Sequence, residues 1–159
     1  MIKKLILVFL ILGSSFYYLK AQPDPTSTKI QLEQLLSKYH GKVVYLDFWA
    51  SWCVPCRKSF PWLNSVQHKY ADQGFVIISV NLDANKELAL RFLQQSSANF
   101  EVIYDAKGAI AKHFAIKGMP SSLLIGRDGT IQSSHTGFDI KYITVYEKNI
   151  TDLLVYKTS

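Results

Sequence analysis

Cysteine is scarce in this chain, with two residues in 159. Two cannot build a dense disulfide scaffold, and they cannot supply the four thiolates of a structural zinc site or an iron–sulfur cluster. Glycine (8) and proline (5) are also few, while 48% of the residues are hydrophobic and 13% aromatic. That balance excludes a disordered, collagenous or mucin-like chain. No internal repeat, heptad array or low-complexity tract is present, and no basic tract alternates with aromatics, so nothing points to nucleic acid.

What is there suits one ordinary domain with a sizeable core. The 18 Lys and Arg exceed the 12 Asp and Glu, giving a formal charge of +6. Lys3, Lys4 and Lys20 fall in the first 21 residues, which leaves 15 basic against 12 acidic residues, or +3, for the remainder. Half of the net charge therefore belongs to a leader, and basicity says little about partners.

The leader starts with Lys3 and Lys4, continues through an apolar run from Leu5 to Leu12, and reaches Gly13-Ser14-Ser15. This is the pattern of a secretory signal. Apolar character persists to Leu19, so a short anchor over residues 5–19 is the alternative, although a span wants about 20 apolar residues. The expected organisation is a signal peptide or short anchor over 1–21, a Pro-rich linker over 22–27 and one domain over 28–159. Export makes an oxidised cysteine pair the default state.

Along the domain, Ser27 or Thr28 can cap a helix carrying Leu32, Leu35, Leu36 and Tyr39, with Gly41 as its stop. Residues 43–49 form a continuous β-branched and aromatic run, expected of a strand buried on both faces. A helix follows from about Cys53 to Ala71, with Pro61 inside it. Residues 75–82 read as a second buried strand, and 87–95 as a helix with Leu88, Phe92 and Leu93 on one side. A short strand at 101–104, a short helix at 109–114, and a hairpin of 121–125 with 130–136 about Arg127-Asp128-Gly129 come next. A last helix over 140–156 carries Ile143, Tyr146, Ile150, Leu153 and Leu154. The alternation predicts an α/β fold, a central mixed sheet with helices on both faces.

The informative stretch is Asp47-Phe48-Trp49-Ala50-Ser51-Trp52-Cys53-Val54-Pro55-Cys56-Arg57. Cysteines three apart can close a small ring only if the chain turns between them, and Pro55 favours that turn. Where a strand hands over to a helix, Cys53 sits at the helix N-terminus, whose unpaired amides and dipole stabilise a thiolate. Cys56, one turn deeper, keeps a higher pKa. The asymmetry makes Cys53 the attacking thiol and Cys56 the resolving one. Half a zinc site and a purely structural disulfide are the competing readings. The first lacks ligands, because His40, His68, His113 and His135 are scattered, and so small a loop gains little from chain entropy.

Several separated features resemble the thioredoxin superfamily, and within it the exported TlpA-like thiol–disulfide oxidoreductases. They are the Phe48-to-Cys56 core, Pro61, Val80-Asn81-Leu82-Asp83, Gly118-Met119-Pro120-Ser121 and His135-Thr136-Gly137-Phe138, spanning about residues 27–155. The resemblance implies a thioredoxin-like fold and a cis Met119–Pro120 bond beside the disulfide. It also implies a substrate surface of Trp52, Val54, Pro55, Met119 and Pro120. A core position is the other reading of Trp52. The resemblance further implies disulfide-bearing protein substrates, a membrane thiol-transferring electron donor, and no tightly bound cofactor or metal.

Asp47 stands inside an apolar strand, where desolvation raises a carboxyl pKa and suits it to take a proton from Cys56; an acid hydrogen-bonded at the strand end is the other reading. Thioredoxins carry Asp there, and TlpA-like members often carry Asn. Two departures stand out. Ser79 aligns where thioredoxins place a Lys near that Asp, and Ser59 replaces the Glu of cytochrome-maturation members. His135 is read as a strand residue at the rim, and Arg57 and Lys58 as a solvated face. The reading is exported thiol–disulfide exchange, on the reducing side because Val54-Pro55 brings no His or charge between the cysteines. A peroxiredoxin-type thiol peroxidase and a non-catalytic client-binding module are the rivals.

Overall fold

The computed structural model describes residues 25–155; the leader over 1–21 and the first linker residues lie outside that range. Among the described residues no helix is long and apolar enough to cross a membrane. The first helix, α1 (Pro25–Lys38), begins ahead of the cap read from the sequence, so residues 25–27 form its first turn. Proline needs no amide partner in a first turn, so it can open a helix.

Strand β1 (Val43–Trp49) is buried at all seven positions. It leads into α2 (Val54–Tyr70), which contains Pro61, and then into β2 (Phe75–Asn81), again buried throughout. Next come α3 (Lys86–Gln95) and β3 (Glu101–Tyr104). After them follow α4 (Ala109–His113) and the hairpin of β4 (Ser121–Ile125) with β5 (Ile131–Thr136). A 3₁₀ turn at Ile140–Tyr142 runs into α5 (Ile143–Val155). The five strands form one sheet in the order β3-β2-β1-β4-β5. The first three are parallel, while β4 runs antiparallel to both of its neighbours, β1 and β5, as expected of a mixed sheet.

Alternation along β1 sorts the core into two layers. Val44, Leu46 and Phe48 pack with Leu32 of α1 and with Ile110 and Ala111 of α4. Val43, Tyr45 and Trp49 face the other way. They share a cluster with both cysteines, Phe60, Trp62 and Leu63 of α2, Phe92 of α3, and Tyr146, Ile150 and Leu154 of α5. Aromatic rings tie that layer together. Phe60 lies 4.7 Å from Trp49 and 4.8 Å from Phe92, both edge-on, the geometry ring quadrupoles prefer.

One helix face departs from the sequence reading. The buried side of α3 is Ala89 and Phe92, with Leu93 packed partly against the core. Leu88 is 38% exposed. In a ten-residue helix the 3.6 spacing allows two overlapping stripes, and the aromatic cluster under Phe92 selects between them.

Truncating Phe60→Ala is therefore expected to cost about 3–5 kcal/mol of stability in urea unfolding, whereas Leu88→Ala stays within about 0.5 kcal/mol of wild type.

Candidate functional site

The site forms where β1 ends and α2 begins. Beyond Trp49 the chain turns, and the Cys53 amide donates to the Ala50 carbonyl at 3.1 Å. The buried Asp83 carboxylate holds this turn. It accepts from the Ser51 amide and the Ser51 hydroxyl, each at 2.9 Å, and from the Asn81 side-chain amide at 2.8 Å. Asp83 follows the end of β2, so the neighbouring parallel strand fixes the loop that presents Cys53. The Asn81-Leu82-Asp83 stretch was visible in the sequence, but its clamping role was not assigned there.

Cys53 is the N-cap of α2, and its sulfur accepts from the Cys56 amide at 3.3 Å. The two sulfurs are bonded at 2.06 Å, with Cα atoms 5.2 Å apart. Pro55 falls in the first turn of α2, where a missing amide costs nothing. The two ends of the disulfide differ in setting. Cys53 is 6% exposed and lies between Trp52 (64%) and Val54 (58%), whereas Cys56 is fully buried. Trp52 is thus a surface residue rather than part of the core. Ser59 is buried and donates its hydroxyl to the Cys56 carbonyl at 2.8 Å.

Met119–Pro120 is a cis peptide. It immediately precedes β4, whose Ser121 pairs with Phe48, so it lies level with the end of β1. Met119 packs against the cluster that contains both cysteines. Trp52, Val54, Pro55, Met119 and Pro120 therefore gather at the same end of the sheet as the disulfide.

Asp47 sits in the middle of β1, between Tyr45 and Trp49 on the face that α2 covers. Tyr45 meets Trp62 of α2 edge-on at 5.8 Å, and Trp49 meets Phe60. Its carboxyl therefore lies on the side of the sheet whose core layer contains both cysteines. It is 3% exposed, and its Oδ2 has no hydrogen-bond partner. Burial pushes its pKa from an ordinary 3.8 up to about 7. Ser79 is its direct partner on β2, also fully buried, and its hydroxyl has no partner either. No cation faces Asp47 from that side. Burial, and then the nearby Asp47, raises the pKa of Tyr45.

His135 lies on the exposed edge strand β5 and is not at the disulfide. Its Nε2 is 3.0 Å from the Tyr146 hydroxyl, and the two rings lie 4.7 Å apart. Sequence reading took Tyr146 as a plain core residue; nothing in the chain order signals its pairing with His135.

A mixed sheet with helices on both faces, a Cys-x-x-Cys disulfide at a strand-to-helix junction and an adjoining cis proline define a thiol–disulfide oxidoreductase of the thioredoxin fold. The chain belongs to the Redoxin family, whose model matches residues 20–154. It is 32% identical over 134 residues to the thiol–disulfide oxidoreductase ResA of Bacillus thuringiensis subsp. konkukian, covering 83% of this chain and 78% of that one. Among solved structures it is similar to a Chlorobium tepidum protein assigned as a thiol:disulfide interchange protein DsbE. That match has 48% identity and a TM-score of 0.74, covering 75% of this chain and 84% of the other. The thioredoxin domain of a thiol–disulfide oxidoreductase from Bacteroides vulgatus matches at 27% identity and a TM-score of 0.62, covering 71% and 83%.

Asp47 couples stability to pH with a definite sign. At low pH the carboxyl is neutral in both folded and unfolded chains. Between about 4 and 7 the unfolded chain releases a proton that the folded chain keeps, so stability falls as pH rises. Above that range the folded protein carries a buried charge. The urea unfolding free energy of the wild type is expected to drop between pH 4 and 8 relative to Asp47→Asn, by an amount on the order of 4 kcal/mol. Parallel curves for the two proteins would refute the assignment.

Proposed function

We propose that this protein reduces disulfides of protein substrates outside the cytoplasm, with Cys53 attacking, Cys56 resolving and Asp47 as the base for the second step. The observation that carries this reading is the asymmetry of the disulfide. Cys53 caps a helix N-terminus between two exposed side chains, while Cys56 is fully buried in the layer on the Asp47 side of the sheet, and Asp47 Oδ2 has no partner.

In the reduced protein, helix amides and dipole stabilise a Cys53 thiolate. It attacks one sulfur of a substrate disulfide, forming a mixed disulfide and releasing the first substrate thiolate, which takes a proton from water. Cys56 then gives its proton to Asp47 and attacks the Cys53 sulfur. The second substrate sulfur leaves as a thiolate and takes a proton from water, and the Cys53–Cys56 bond seen in the structure forms. Two electrons pass to substrate, and an external dithiol must return them. A membrane thiol-transferring protein fits that task. Trp52, Val54 and Pro55 on one side and Met119–Pro120 on the other form the surface for an extended substrate segment. The leader over 1–21 supports export, and the reducing direction rests on the uncharged Val54-Pro55 between the cysteines.

Cys56→Ser is expected to accumulate a mixed disulfide with substrate through Cys53, visible on a non-reducing gel, and Cys53→Ser to accumulate none. A Cys56→Ser protein that traps nothing would sink the assignment. Asp47→Asn is expected to slow turnover with a dithiol reductant and a protein disulfide by about 10²-fold or more, the usual contribution of a positioned acid–base group.

A further inference from the structure

A buried base that takes one proton per cycle needs a way to pass it on. Ser79, fully buried, closes the β2 side, and the next position in the register is Val102 of β3. On the opposite side the row is polar. Asp47 pairs with Ser122 of β4, and Ser122 pairs with His135 of β5. Directly paired residues share a face of the sheet, so Asp47, Ser122 and His135 form one line running to the exposed edge.

Two tyrosines fill in that line. Tyr45 is two residues before Asp47, on the same face, and it lines one pocket with Ser122. The Tyr146 hydroxyl from α5 lies 3.0 Å from His135 Nε2. Tyr45, Ser122, His135, Tyr146 and Asn149 line a pocket of about 20 Å³, and a single water needs roughly 10–15 Å³ and two to four polar partners. In the layer packed on the Asp47 side of the sheet the titratable side chains are Tyr45 on its own strand, Tyr70 on α2, Tyr146 on α5 and, at the margin, Tyr104 on β3, with His135 on β5 and Cys56 held in the disulfide. Beside Asp47, β2 and β4 present only serines on this face.

We propose that Asp47 exchanges its proton with solvent through Ser122, Tyr45, a water in this pocket and Tyr146, with His135 as the surface terminus. The role rests on Asp47 acting as the base for Cys56. In the forward direction the proton taken from Cys56 leaves the Asp47 carboxyl, and each hydroxyl accepts one proton and donates one. The imidazole accepts the last and gives it to buffer, so every relay group ends neutral and unchanged. His135 and Tyr146 act on the proton of Asp47, not on the sulfurs.

The test reads the Asp47 proton itself. In ¹³C-labelled oxidised protein, the Asp47 carboxyl resonance, assigned by its loss in Asp47→Asn, reports the exchange rate near its titration midpoint. Tyr146→Phe keeps the ring against Trp62 and Phe138, at 5.6 and 5.9 Å, and removes only the hydroxyl. His135→Ala changes an exposed residue. Both are expected to slow exchange at least about tenfold, or about 1.4 kcal/mol on the transfer barrier, and added imidazole is expected to restore the rate in His135→Ala. A wild-type rate in either variant overturns the relay, as does slowing in His135→Ala that imidazole leaves untouched. Wild-type turnover by Asp47→Asn would instead remove the base assignment, whatever the exchange rates show.

Discussion

Strand β1 is buried from end to end, and the rest of the site depends on that exclusion of water. A carboxyl in the middle of such a strand cannot be solvated, and no charge on the neighbouring strands compensates it. Its neutral form is therefore favoured up to about pH 7. The same burial lets β1 deliver Cys53 to a fixed position, since a strand flanked on both sides has no freedom to tilt. Asp83 completes the arrangement, because its carboxylate holds Ser51 one turn short of the helix.

Helix α2 converts this fixed position into two unlike sulfurs. One sulfur sits at the N-cap, within reach of amides that have no partner in the helix, and the other lies a turn deeper among Trp49, Phe60 and Leu63. The difference needs no special residue type between the cysteines. It follows from the 3.6-residue period and from which side of α2 faces the sheet. Trp52 and Val54 stay exposed at the rim beside the outer sulfur.

Much of this was legible in the chain. The β-branched run of 43–49 and the Cys-x-x-Cys at its end read directly, because buried strands and strand-to-helix turns have strong local signatures. The nearness of Ser79 to Asp47 was also readable, from aligning Val80-Asn81-Leu82-Asp83 with thioredoxins, and the register pairs the two residues directly. Long-range side-chain geometry was not. The Asp83 clamp joins residues 32 apart, and the His135–Tyr146 pair joins an edge strand to a helix. Neither leaves a periodic trace. Leu88 was misplaced because a short amphipathic helix offers two stripes, and only the tertiary partner of Phe92 decides between them.

The opposite end of the sheet is held differently. The Arg127 guanidinium donates to the carbonyls of Gly41, Gln73 and Leu154, joining the approach to β1, the approach to β2 and the end of α5. An arginine keeps its charge at any pH a protein survives, and carbonyl oxygens do not titrate. This one clamp is thereby indifferent to acidity, whereas the energy of the disulfide end follows it. Acidity and redox state can act on the disulfide end while the frame that aims it stays the same.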